Sequence, residues 1–217
     1  MINRVIRYLI AYDLVLNFAF GLLAPVFAVF VLQNVEGSSL RVIGTATSIY
    51  WFARILSTTP LSRFMDRTAG ERDEFYFTIF GTLMISTVPL LLIFAHVPWQ
   101  LYVIQFLHGI GNSMAVPGWR ILFTDHLDKG ATGYEWSLQD IAIGLAVGSS
   151  GYLGSLLADR FGFIPVLILL ACLGYVSTVL LIPLYSDFKK LRAIRQTHRV
   201  DIRHRREHAV QPTQHVK

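Results

Sequence analysis

Apolar residues run along this chain in six long blocks, at approximately 8–32, 42–62, 75–95, 99–122, 134–157 and 163–185, separated by short polar connectors. A helix that crosses a bilayer needs about 20 mainly apolar residues. The pattern therefore predicts an all-α integral membrane protein, with a six-helix transmembrane domain over residues 1–186 and a basic tail over 187–217. Short connectors make neighbouring spans antiparallel. The first block follows Arg4 and Arg7, as a signal peptide would, but it is too long, holds Asp13 and Asn17, and is followed by further spans. It is expected to stay as the first membrane helix.

Polar interruptions are unevenly placed. Spans 3 and 6 contain no charged residue and are expected to face lipid, whereas span 1 carries Asp13 and Asn17, span 2 Arg54, span 4 Gln105, His108 and Asn112, and span 5 Gln139 and Asp140. An ionisable group near the bilayer centre costs at least ~2.5 to 3.5 kcal/mol, so such groups face a bundle interior, a partner or a water-filled path.

Composition supports the membrane assignment and adds direction. The chain is 53% hydrophobic and 15% charged, where a soluble domain would carry roughly a quarter charged residues. Nine of the nineteen Lys and Arg follow Tyr185, so the net charge of +5 belongs mostly to the tail. Positive connectors stay on the cytoplasmic side. With the N-terminus inside, the inner segments hold Arg4, Arg7, Arg63, Arg67, Arg72, Arg120, Lys129 and the tail, and the outer connectors hold only Arg41 and Arg160. Both termini are expected to be cytoplasmic. The single cysteine, Cys172, excludes a disulfide or a Cys-based metal site within one chain and is expected to be buried.

Landmarks of the first three spans recur in the last three. Pro25 matches Pro117, Asp66-Arg67 matches Asp159-Arg160, Gly81 matches Gly174, and Pro89 matches Pro183, at offsets of about 92 to 94 residues. Because three spans are an odd number, the second copy would be inverted, an arrangement found in secondary transporters. The inner connector between spans 2 and 3 reads Ser62-Arg63-Phe64-Met65-Asp66-Arg67-Thr68-Ala69-Gly70-Glu71-Arg72. It resembles the loop signature of the major facilitator superfamily, with Ser62 for the leading glycine, one residue inserted before Gly70, and Glu71 for one of two basic residues. "FLHGIGNSMAVPG" resembles the family's fourth helix, with Gln105 in place of the usual arginine. "GLAVGSSGYLG" resembles its glycine-rich fifth helix, and "LADRFGFIPV" its passage from span 5 to span 6.

The resemblance implies half of a transporter fold: six helices as two inverted three-helix repeats. Family members normally have twelve spans in two halves that rock around a solute, so a six-span chain is expected to form a homodimer, to pair with a second six-helix half, or not to transport. The resemblance places Asp66 and Arg67, with Gly70 and Arg72, in a latch that docks on the other half and holds one conformation closed. It also places Asp13, Asn17, Gln105, His108 and Asn112 on the substrate path, because helices 1 and 4 line it.

Depth along the helices suggests one coupling device. Asp13 and Asp140 lie about 8 to 10 Å from the inner ends of their spans and Arg54 about 12 Å from its own. An ion pair of Arg54 with Asp13 or Asp140 is expected, either fixed or exchanging its partner for a proton as the helices move. The expected partners are the lipid bilayer, a second half and an unidentified small solute, with no nucleic acid, no cofactor and no metal. His198, His204 and His208 stand among arginines that repel cations and suit anionic lipid. Two other readings remain: a non-transporting membrane scaffold or relic half, and a rhomboid-like serine protease. The latter rests on Gly148-Ser149-Ser150-Gly151 and on His108 and Asn112, but span 6 lacks the histidine base such an enzyme uses.

Overall fold

The computed structural model describes residues 2–67 and 71–188, with Asp66 and Arg67 described in the backbone only. The side chains of Asp66 and Arg67, Gly70, and the tail from residue 189 with its three histidines lie outside the described residues. Seven α-helices occur among the described residues: α1 (Arg4–Leu23), α2 (Phe27–Asn34), α3 (Leu40–Arg67), α4 (Arg72–Leu92), α5 (Pro98–Asp125), α6 (Thr132–Phe161) and α7 (Phe163–Leu181). A 3₁₀ turn, Ile182–Leu184, follows α7. Four stretches are long and apolar enough to cross a bilayer: Arg4–Leu23, Arg72–Leu92, Thr132–Phe161 and Phe163–Phe188. Helices α3 and α5 have 28 residues each, ample length, but carry more polar side chains.

The helix count differs from the six expected because the first apolar block is split in two. Pro25 has no N–H to give and its ring crowds the carbonyl four residues back, so α1 stops at Leu23 and α2 starts at Phe27. Pro60, Pro89 and Pro117 stay inside continuous helices.

Five pairings hold the bundle: α4 with α5, α1 with α6, α3 with α5, α1 with α7, and α4 with α7. Glycines set the closest of them. A Cβ at Gly154 of α6 would strike the backbone of Leu22, and one at Gly109 of α5 would lie 2.5 Å from the Tyr50 carbonyl oxygen and 2.8 Å from the Ala53 Cβ. Without those side chains the backbones approach closely, which is how membrane helices gain packing when lipid supplies no hydrophobic drive.

Two apolar clusters close the ends of the bundle. One gathers Val5, Ile6, Leu9, Phe75, Trp119, Phe123, Leu184 and Phe188, and the other Leu23, Phe30, Val31, Leu92, Leu101 and Leu167. Between them α4 contributes buried hydroxyls: Thr82 shares a 2.6 Å hydrogen bond with Tyr12 and also donates to the Thr78 carbonyl. At the first end, Asn3 donates to the His126 carbonyl and Arg4 lies 3.8 Å from Asp187, tying the chain start to α5 and to the segment after α7.

Two expectations are corrected here. Cys172 is exposed, on a face of α7 turned away from the bundle, where an apolar thiol needs no partner. The charge-free spans 75–95 of α4 and 163–185 of α7 face outward on one side only, through Phe80, Val176 and Val179, because both helices also pack on the bundle centre; α3 and α6 bare Phe52, Ile55, Leu56, Leu145 and Tyr152, all more than half exposed. The acids between spans 2 and 3 behave differently from one another. Glu71 and Glu74 are buried, Glu71 lies 3.9 Å from His126, and Asp73 and Glu74 occupy the first turn of α4, where negative charge suits the helix dipole.

Candidate functional site

The close approach at Gly109 brings His108 of α5 against α3. The His108 ring lies 4.8 Å from that of Tyr50 and stacks on Phe20 of α1 at 5.6 Å. One turn further along α5, Gln105 meets His108 Nδ1 at 3.2 Å. These groups border a cavity of about 360 Å³ between α1, α2, α3, α4 and α5. Its wall is mainly apolar and aromatic, with Phe20, Phe27, Tyr50, Trp51, Val88, Pro89 and Leu92, while Thr47, Gln105 and His108 provide the polar groups. A mostly apolar hollow with a few converging polar groups is the form small-molecule sites take.

Arg54 sits one turn beyond Tyr50 and folds back toward it. Its Nη1 donates to the Tyr50 hydroxyl at 3.2 Å, and its Cζ lies 5.1 Å from the centre of the Trp51 ring. The ion pairs found among the described residues, Arg4 with Asp187 and His126 with Glu71, do not include it.

Asp13 belongs to a separate centre. Its Oδ2 accepts from Gln139 Nε2 at 2.8 Å and its Oδ1 from Asn17 Nδ2 at 2.9 Å, so two neutral amides hold the carboxylate where α1 meets α6. The five path candidates thus fall into two groups. Gln105 and His108 line the cavity, Asn112 bonds back to the His108 carbonyl at 3.3 Å, and Asp13 and Asn17 stand with Gln139. Among the described residues the expected pair of Arg54 with Asp13 or Asp140 is not formed, and Asp140 is exposed on α6. Ser150 is fully buried against Gly21, and its hydroxyl donates to Val147; His108 has Gln105, Phe20 and Tyr50 for company. That geometry offers no nucleophile and base in contact. Of the latch residues, Arg72 opens α4.

The sequence profile of the Major Facilitator Superfamily matches residues 13–211, nearly the whole chain. The chain belongs to the major facilitator superfamily. Members of the superfamily are multi-pass membrane transporters, and the apolar helices fit that setting. The multidrug resistance protein MdtG of Escherichia fergusonii is 25% identical over 175 residues, covering 78% of this chain and 41% of MdtG. The crystal structure of PepTSo, a POT family transporter, superposes with a TM-score of 0.72 at 18% identity over 87% of this chain and 38% of that one. The chain therefore spans about two fifths of the length of these superfamily relatives. Phe20, Thr47 and Tyr50 escaped the sequence reading, which followed polar residues of helices 1 and 4. Two signals were present: Tyr50 precedes Arg54 by one helical turn, and Gly109 adjoins His108.

Proposed function

We propose that this chain acts as one six-helix half of a secondary transporter that moves a small solute by rocking against a second six-helix bundle, either a second copy or a distinct half. In this reading α1 and α2 form a single broken span, both termini are cytoplasmic, and the helices make two inverted three-helix repeats. What supports the repeats is that the five helix pairings survive an exchange of α1 with α5, α3 with α6, and α4 with α7.

The observation that carries the proposal is the open side of the molecule. Trp51 borders the cavity and is half exposed, and it continues into the bare apolar face of α3, so the cavity is a half-site waiting for a cover. In a bilayer a bare apolar face suits lipid as well as a partner, so it is the cavity's polar groups, Thr47, Gln105 and His108, that a covering bundle would shield. Gln105, His108 and Asn112 would line the solute path, while Asp13 with Asn17 and Gln139 would serve coupling. Asp66 and Arg67, with Gly70 and Arg72, would form the latch against the second bundle. The buried polar groups of α1, α5 and α6 support transport over a passive scaffold, because apolar residues would fill those positions at lower cost.

Single cysteines at Leu56 of α3 and Leu145 of α6, introduced after replacing Cys172, test the pairing. Cross-linking in a native-like bilayer is expected to give a product of twice the 24.5 kDa chain mass through these faces. A strict monomer that co-purifies with no second bundle would exclude it. Uptake of solute pools into liposomes then tests transport itself.

A further inference from the structure

We infer that the cavity takes an amphipathic organic anion: a flat apolar body of one or two rings lies among Phe20, Tyr50, Trp51 and His108, and its carboxylate or sulfonate meets Arg54. This deepens the transport reading above and rests on it for the idea that the cavity holds a solute at all.

The inference starts from the position of Arg54. It lies midway along α3, Leu40–Arg67, and about 12 Å from the inner end of the apolar span 42–62 at 1.5 Å per residue. Its side chain folds back to Tyr50, toward the middle of the span and not toward the nearer headgroups. A membrane-embedded guanidinium at that depth is expected to meet an anion. Among the described residues the protein does not supply one. Asp13 is held by Asn17 and Gln139, and Asp140 stands on α6, which packs against α1 and α7 rather than on α3. The contacts Arg54 does make, the Tyr50 hydroxyl and the Trp51 ring, use one of its five N–H groups and one face, and they hold the guanidinium against two residues of the cavity wall.

The wall sets the rest of the solute. A volume of about 360 Å³ equals about a dozen waters at ~30 Å³ each, which suits a one- or two-ring molecule. Aromatic side chains offer stacking faces, and among the described residues no Asp or Glu lines the cavity. A cation would meet Arg54 with no acid to offset it. A neutral solute would fit but leave the guanidinium without a counter-charge, so the anionic form binds best. Arg also suits planar bidentate recognition of carboxylate in a way that Lys does not.

The test uses the full chain in nanodiscs of zwitterionic lipid and three compounds of one shape: 2-naphthoate, neutral 2-naphthamide and 2-naphthylmethylammonium. Wild-type protein is expected to bind 2-naphthoate at least about tenfold more tightly than the other two, the range for a charge-assisted hydrogen bond. Arg54→Gln should erase that preference and leave 2-naphthamide within about twofold. Arg54→Lys, which keeps the charge, should fall between them, and it serves if the Gln variant does not fold. Equal or tighter binding of the ammonium compound, no binding of 2-naphthoate at millimolar concentration, or an unchanged 2-naphthoate affinity in both variants would overturn the inference. Liposome uptake separates it from the transport reading. Anion-selective binding without uptake by the assembled protein keeps the site and removes transport, while uptake of the ammonium compound without 2-naphthoate binding does the reverse.

Discussion

Gly154→Leu should leave little or no folded protein. The Cβ alone would run into the carbonyl, carbonyl carbon and Cα of Leu22, all backbone atoms that no rotamer change can move. Helices α1 and α6 would have to separate, and with them the Gly21–Ser150 contact and the Asp13–Gln139 hydrogen bond that join the same two helices. Overpacking of a well-filled core costs typically ~1 to 3 kcal/mol. A backbone clash that parts two helices is expected to exceed that range and to consume much of a stability of ~5 to 15 kcal/mol. The comparison is Gly148→Leu on the same helix, where an added Cβ meets nothing within 4 Å. Size-exclusion profiles and thermal unfolding in detergent should show Gly154→Leu aggregated or strongly destabilised and Gly148→Leu near wild type. Similar behaviour of the two would show that close packing of α1 on α6 is not what holds this side of the bundle.

The second large effect concerns Asp13. As a carboxylate it accepts from two amides, one on each oxygen. A proton on one oxygen turns that oxygen into a donor, which then faces an amide N–H, and two donors cannot pair. The Asn17 or Gln139 amide must rotate to present its oxygen, or the contact opens. Gln139 belongs to α6, so proton binding is expressed as a change between helices. Asp13→Asn keeps the shape and removes the proton-binding group. Uptake driven by a pH gradient in liposomes is expected to fall to background, with solute binding kept. If Asp13→Asn uptake follows pH as wild type does, Asp13 is a structural group and coupling lies elsewhere.

Much of the helical content was legible because a run of about 20 apolar residues has few other uses. The break at Pro25 was not, since Pro89 and Pro117 occur in similar apolar settings and they, like Pro60, leave their helices whole. Depth placed Asp13 and Arg54 near one level, but depth fixes only one coordinate. The direction each faces depends on tertiary packing, which turns Arg54 toward Tyr50 and Trp51, and Asp13 toward α6. The burial of the acids after Gly70 had no signal in the sequence, because charge in a connector reads as solvent exposure. Glu71 and Glu74 are buried because α4 begins immediately there and packs its first turns on α5.

The glycine strip of α6 offers a way to ask whether its face is covered in the working protein. At Gly144, Gly148 and Gly151 an added Cβ meets open space in the single bundle. In an exposed helix each Gly→Ala change is stabilising by about 1 kcal/mol through helix propensity. A neighbouring helix seated on the strip would reverse the sign, because three methyl groups would hold it off. The triple alanine variant should therefore raise the melting temperature of a detergent monomer and lower that of the bilayer assembly. The same three atoms report vacancy in one setting and occupancy in the other, so the strip is a built-in gauge of the partner's presence.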